Sequence, residues 1–160
     1  MDVTVRIADQ PGDLGWIVMA NAEVYAQQFG WSTDYETLVA RIVADFAEGS
    51  ASERQRAWIA ELDGRRIGCV MCVDAGEDVA RLRLLLVTPD GRGHGAGSAL
   101  VDACLDFARR SGYRTMVLWT NSVLESARHI YQRAGFELIA ENPHHSFGAD
   151  LVGQDWELVL

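Results

Sequence analysis

The chain of 160 residues contains no lysine, and all 14 of its basic residues are arginine. A phosphate loop ending in Gly-Lys-Ser/Thr is therefore excluded, and with it any Schiff-base or pyridoxal attachment at a lysine. Cysteine is scarce, with three in all, two of them spaced as a redox or zinc pair in Cys69-Val70-Met71-Cys72. That segment lies in the apolar stretch from Arg66 to Val73, which reads as a strand, and residues three apart on a strand face opposite ways. With only Cys104 elsewhere, no four-cysteine metal set exists, and we expect small buried hydrophobes and no bound metal. No apolar run approaches the roughly 20 residues that span a bilayer, and the start from Met1 to Arg6 lacks a signal-peptide pattern. A cytoplasmic protein is expected. Positive charge is outnumbered, 14 against 23 acidic residues for a net charge of −9, which weighs against nucleic acid or anionic membrane as partner and favours a cationic amine. No repeat, linker or low-complexity stretch divides the chain. At 49% hydrophobic and 23% charged, residues 1–160 suffice for one domain with its own core.

What the chain does have is glycine in one telling place. Arg92-Gly93-His94-Gly95-Ala96-Gly97-Ser98 stands between the apolar run 81–87 and a helix-patterned stretch from Ala99 to Arg110. Glycines at alternate positions let the backbone turn tightly and approach a ligand where a Cβ would collide. The amides of such a loop, and the free N–H groups of the helix that it opens, point at an anion, and Arg92 adds a charge-assisted hydrogen bond. A dinucleotide fingerprint can be laid over Gly91, Gly93 and Ala96. A Rossmann half, however, opens with that loop and follows it with further βαβ units, whereas here about one such unit and a hairpin remain.

Periodicity and turn chemistry predict a strand at 3–7, helices at 12–29 and 34–48, and strands at 56–62 and 65–74 joined by an Asp63-Gly64 turn. A strand at 80–87 ends at Thr88-Pro89-Asp90-Gly91. A helix at 95–111, a strand at 114–119, a helix at 123–134 and strands at 136–141 and 154–160 follow. Thr33 with Glu36, and Ser122 with Glu125, are capping-box pairs, and Gly135 suits the helix exit.

An Arg-x-x-Gly-x-Gly loop after a buried strand resembles the acetyl-coenzyme A loop of the GNAT N-acetyltransferases. So does Ala127-x-x-x-Tyr131-x-x-x-Gly135-Phe136, the signature in which a tyrosine stands beside the cofactor sulfur. The whole chain is also similar to the stand-alone form of the acetyltransferase half found fused to MarR-type regulators, through Gly12 to Trp16, Leu118 to Ser122 and Pro143 to Phe147. The resemblance implies an α/β (α+β) GNAT fold in the order βααβββαβαββ, a mixed central sheet of about seven strands with helices on both faces.

The resemblance further implies that pantetheine lies as an added strand in a wedge, its amides partnered by Leu85, Leu86 and Val87. The backbone N–H of Leu86 or Val87 would polarise the thioester carbonyl. Arg92, Gly93, His94, Gly95, Ala96, Gly97 and Ser98 would hold the diphosphate, with Asn121, Ala127 and Tyr131 completing the cofactor site. Tyr131 is the expected general acid for the departing thiolate. The general base is open. Family members often carry a glutamate where this chain has Trp119 and an asparagine where it has Leu124, and nearby Asn121 or Ser122 could supply the lost hydrogen bond. His144 and His145, placed in the loop between the last two strands, are the leading candidates; Glu23, Tyr25 or a water chain are others.

The acceptor is expected between the first two helices, against Tyr25, Phe29 and Trp31, with Trp119 nearby and Arg83 facing the cavity on the side of Leu85. The fused relatives carry histidines and a glutamate where this chain has Met19, Asn21 and Gln28, which implies a different acceptor. The expected activity is transfer from acetyl-CoA to a small amine or amino-acid-like acceptor in a ternary complex, by a monomer or homodimer. A non-catalytic acyl-CoA sensor and a protein N-acetyltransferase are the alternatives.

Overall fold

The computed structural model describes residues 2–49 and 52–160. The elements are β1 (Val3–Ile7), α1 (Asp13–Phe29), α2 (Thr33–Glu48), β2 (Arg56–Leu62), β3 (Arg65–Gly76), β4 (Val79–Val87), a 3₁₀ turn (Pro89–Gly91), α3 (Ala96–Arg110), β5 (Thr115–Asn121), α4 (Glu125–Ala134), β6 (Glu137–Ser146) and β7 (Ala149–Val159). This is the expected order. The strands form one mixed sheet, β1-β2-β3-β4-β5-β7-β6, in which only β4 and β5 run parallel.

Two apolar clusters cover the two faces of the sheet. One gathers α3, α4 and the inward residues Leu82, Leu85, Met116, Leu118 and Trp156. The other gathers α1, α2 and Ile59, Met71, Leu86 and Leu151. Cys69 belongs to the second cluster and Cys72 to the first, both fully buried, as strand alternation requires. All three cysteines are free thiols.

The start of α1 is fixed by charge. Gly12 precedes the helix in the left-handed region and no side chain caps it. Asp13 is instead fully buried, accepting two hydrogen bonds from Arg6 at 2.8 and 2.9 Å, one from Arg66 at 2.9 Å and one from the Gln10 amide at 2.9 Å. One carboxylate thereby ties β1, β3 and α1 together. Its bond to Arg6, helped by Gln10 and Arg66 and opposed by burial, holds the Asp13 carboxyl far below the usual carboxylate range.

Three local expectations are corrected. Helix α2 is capped by Ser32, which accepts from the Asp34 amide at 3.4 Å, not by Thr33. Helix α4 starts at Glu125 without a side-chain cap, so Ser122 and Glu125 form no capping box, and Arg128 donates to the Ser122 carbonyl at 3.1 Å. Strand β6 does not stop at 141 but runs through Pro143, and His144 and His145 therefore lie on a strand rather than in a loop. Pro143 is tolerated because β6 is the edge of the sheet, where a missing N–H interrupts no second ladder. Among the described residues, no helix is long and apolar enough to cross a membrane.

Candidate active site

Strands β4 and β5 pair only over Val79, Ala80 and Arg81 against Thr115, Met116 and Val117. Beyond that point the partners separate, and β5 continues instead beside β7 as far as Asn121. A cleft of about 590 Å³ opens in the gap, walled by Leu85, Leu86 and Val87 on one side, the start of α4 on another and Tyr25, Gln28 and Phe29 of α1 across from them.

Just past the separation, β4 carries a β-bulge. Between the pairs Met71–Arg83 and Cys69–Leu86, β4 carries one residue more than β3, and Leu84 takes φ +56°. The extra residue reverses the alternation, so Leu84 joins the α1–α2 face while Leu85 joins the α3 face. Arg83 is consequently not on the side of Leu85. It faces a separate cavity of about 180 Å³ with Asp45, Gln55 and Asp74, and takes no part in the cleft. The same alternation sorts the main-chain amides. Thr88 N–H donates to Ile67 of β3 at 2.8 Å, so the Val87 N–H, one residue before, faces the side that β5 has left.

The mouth of the cleft is formed by the glycine loop. Gly93 and Gly95 stand at φ +84° and +77°, and Gly95 is the N-cap of α3 with no side chain to serve its amides. Among the described residues, the amides of Gly93 to Ser98 donate to no acceptor in the chain. Helix α3 thus presents its positive end and a row of free donors to one spot. Gly97 has a different reason to be glycine: a Cβ there would lie 2.6 Å from Ile130 Cδ1, so it permits the close approach of α3 and α4.

Arg92 reaches across the mouth to Gln28, whose Oε1 accepts from the guanidinium at 2.6 and 3.0 Å in the amide orientation that satisfies both groups. Arg133 lines the same mouth and touches Ser98 Oγ at 3.5 Å. Sequence reasoning missed Arg133 and Ile130, whose only signal is helical spacing from Tyr131, and named Gln28 on the acceptor side but not as a partner of Arg92. His94 is exposed on the outside of the loop and does not line the cleft.

Tyr131 is buried on the same face of α4 as Ala127; Ala127 lines the cleft and Tyr131 does not. Its ring packs edge-on against Phe136, and among the described residues its hydroxyl has no hydrogen-bond partner. Burial, with Tyr25 close by, pushes the Tyr131 phenol well up, so it keeps its proton at neutral pH.

On the α1–α2 face beyond the wedge, strand register brings Trp119, Asn121 and His144 together. His144 Nε2 is 2.8 Å from the buried Asn121 Oδ1, and His144 Nδ1 is 2.9 Å from Ser146 Oγ. Because the amide oxygen can only accept, Nε2 carries the proton and Nδ1 accepts from the Ser146 hydroxyl. Trp119 is 45% exposed, lies against Gly153, and its ring centre is 5.4 Å from that of His144. Asn121 is thus engaged by His144 and does not line the cleft. His145 points the other way and pairs with Asp150 at 2.8 Å in solvent. Trp31 is buried inside a ring cluster with Tyr25, Phe29, Tyr35 and Phe147, so Tyr25 and Phe29 form the aromatic wall and Trp31 backs it.

Known proteins resemble this chain in sequence and in fold. The chain is 32% identical over 87 residues to an uncharacterized N-acetyltransferase of Methanocaldococcus jannaschii, a match spanning 50% of this chain and 38% of that protein. It is 35% identical over 89 residues to the N-acetylaspartate synthetase of Xenopus tropicalis, spanning 55% of this chain and 33% of that one. The matched region is thus well under half the length of either relative. Two solved folds cover nearly the whole chain. One is an acetyltransferase of Salmonella typhimurium with its cofactor acetyl-CoA (TM-score 0.80, 20% identity, 99% of this chain and 94% of that one). The other is a phosphinothricin acetyltransferase of Sinorhizobium meliloti in complex with acetyl-CoA (TM-score 0.79, 21% identity, 100% and 89%). Residues 16–136, which hold the wedge, the glycine loop and Tyr131, match the acetyltransferase (GNAT) family, and the chain belongs to it.

Proposed function

We propose that the protein is an acetyl-CoA-dependent N-acetyltransferase that acetylates the amine of a small molecule or amino-acid-like acceptor by direct transfer in a ternary complex. One observation carries the reading: a row of free amides from Gly93 to Ser98, beside Arg92, opens onto a wedge with an exposed strand edge. Acetyl-CoA supplies an activated acetyl thioester, and its anionic diphosphate suits the helix end that the loop creates. We read the protein as cytoplasmic, and as a monomer or homodimer.

Each role falls to a specific group. Leu85 and Val87 offer main-chain partners along the wedge, and the Val87 N–H is the donor for the carbonyl oxygen as charge develops there. Attack by the amine nitrogen forms the new C–N bond and breaks the C–S bond. Tyr131, buried and protonated, donates its proton to the departing sulfur; the desolvation that raises its phenol also raises the basicity of a thiolate formed beside it. The proton released by the amine passes to Ser146 Oγ as the serine hydroxyl gives its own to His144 Nδ1. Asn121 Oδ1 then holds the imidazolium. His145 lies on the opposite side of the strand and takes no step.

Tyr25 and Phe29 supply an aromatic wall for the acceptor, and Trp119 an exposed platform beside His144. The stretches Leu118 to Ser122 and Pro143 to Phe147 meet at the Asn121–His144 contact.

Thiol release from acetyl-CoA across a panel of amines and amino acids tests the reading. Amine-dependent turnover that falls roughly 10²-fold in Tyr131→Phe, with the melting temperature kept, supports it. Saturable acetyl-CoA binding without turnover on any amine would favour a sensor module instead.

A further inference from the structure

A chain of buried hydrogen bonds runs from the first two helices to the strand edge of the wedge. The Tyr35 hydroxyl donates to Asn21 Oδ1 at 3.3 Å, and Asn21 Nδ2 is 3.9 Å from Cys69 Sγ. The Cys69 thiol donates to the Leu84 carbonyl at 3.2 Å. Asn21 is 1% exposed and Cys69 0%, so water cannot substitute for either.

The place where this chain ends matters. Leu84 is the residue in the left-handed region at the β4 bulge, a conformation that a leucine rarely adopts, and at a bulge the ladder leaves a group without its strand partner. The Cys69 thiol takes the Leu84 carbonyl at the extra residue. It therefore fixes the backbone direction from which Val87 follows. Strand β4 has already left β5 at this point, so no ladder bond on that side holds it.

We propose that Cys69 is a positioning residue for acetyl transfer, its buried thiol clamping the Leu84 carbonyl at the β4 bulge so that the Val87 N–H is aimed into the wedge. This rests on the reading that acetyl-CoA lies in that wedge. Asn21 completes the clamp by holding the sulfur from α1, the helix that carries the aromatic wall, and Tyr35 holds Asn21 from α2. The thiol acts through hydrogen bonds and never as a nucleophile, since it is sealed from the cleft.

The test requires no acceptor. Acetyl-CoA labelled with ¹³C at the thioester carbonyl is bound to the wild type, Cys69→Ser and Cys69→Ala, with affinity read by calorimetry and the carbonyl band by difference infrared spectroscopy. A well-aimed donor lowers that band relative to free acetyl-CoA. In Cys69→Ala the affinity should change by less than about threefold while the downshift shrinks by about half or more; Cys69→Ser, which keeps both a donor and an acceptor, should restore it. Should the alanine variant not fold, Cys69→Val, of similar volume and without the donor, takes its place. A downshift equal to wild type in the alanine or valine variant overturns the proposal. Wild-type protein that binds no acetyl-CoA, or binds it with no downshift, removes the underlying reading and the proposal with it.

Discussion

Asp13→Asn is the sharpest perturbation that the fold offers. The carboxylate is fully buried and neutralises Arg6 and Arg66 at 2.8–2.9 Å. An asparagine of the same shape keeps one oxygen acceptor but turns an amide donor toward guanidinium donors; Arg66 loses its carboxylate partner and Arg6 keeps only Glu61, at 3.2 Å. Removing one member of a buried ion pair costs about 3–5 kcal/mol. In a chain of this size each kcal/mol lowers Tm by about 2–4 °C, so Tm should fall by about 6–20 °C. The pH dependence has a definite sign. The folded-state pKa of Asp13 lies below its usual value, so its contribution is complete above about pH 3.8 and is lost as pH falls from there toward the folded value. The wild-type protein should therefore lead the variant by the full amount at pH 7, and by roughly 1 kcal/mol less at pH 3, in urea unfolding followed by circular dichroism. A difference below about 1 kcal/mol at pH 7, or one that does not narrow in acid, refutes the assignment of Asp13 as the buried hub.

The cleft yields two further expectations. Arg92→Ala removes a charge-assisted bond worth about 1.5–3 kcal/mol, offset by the roughly 0.5–1.5 kcal/mol of its Gln28 contact, so calorimetry should find acetyl-CoA bound about 5- to 12-fold more weakly. An unchanged dissociation constant would place the diphosphate elsewhere. Gly68→Ala sets a Cβ 2.8 Å from the Leu86 carbonyl, a backbone atom that cannot swing aside, and should cost about 1–3 kcal/mol in urea unfolding. Gly97→Ala meets only the flexible tip of Ile130 and should be milder; the reverse ranking would contradict the packing described.

The order of elements was legible because the apolar periodicity is strong and glycine marks an exit, as at Gly135, which is left-handed. The glycine loop was legible because Gly93 and Gly95 need positive φ. The β4 bulge was not. Leu84 looks like any other residue of a leucine-rich strand, and its left-handed turn is imposed by β3 and Cys69 rather than by its own preference, which is why Arg83 was expected on the wrong face. The end of β6 was obscured for a related reason. Asn142-Pro143 has the chemistry of a turn, and only its position at the sheet edge lets it continue a strand. The histidine pair was legible as chemistry but not as geometry, since it takes cross-strand register to send His144 to Asn121 and His145 to Asp150.

The central claim, that free amides around Gly95 grip the diphosphate of acetyl-CoA, is tested most directly by calorimetric titration of the wild-type protein with acetyl-CoA and, separately, with acetyl-pantetheine, which shares the thioester arm but lacks the diphosphate. One saturable site per chain is expected for acetyl-CoA, with acetyl-pantetheine weaker by on the order of 10²-fold or more. Equal affinity for the two ligands, or no saturable heat with millimolar acetyl-CoA, would contradict it.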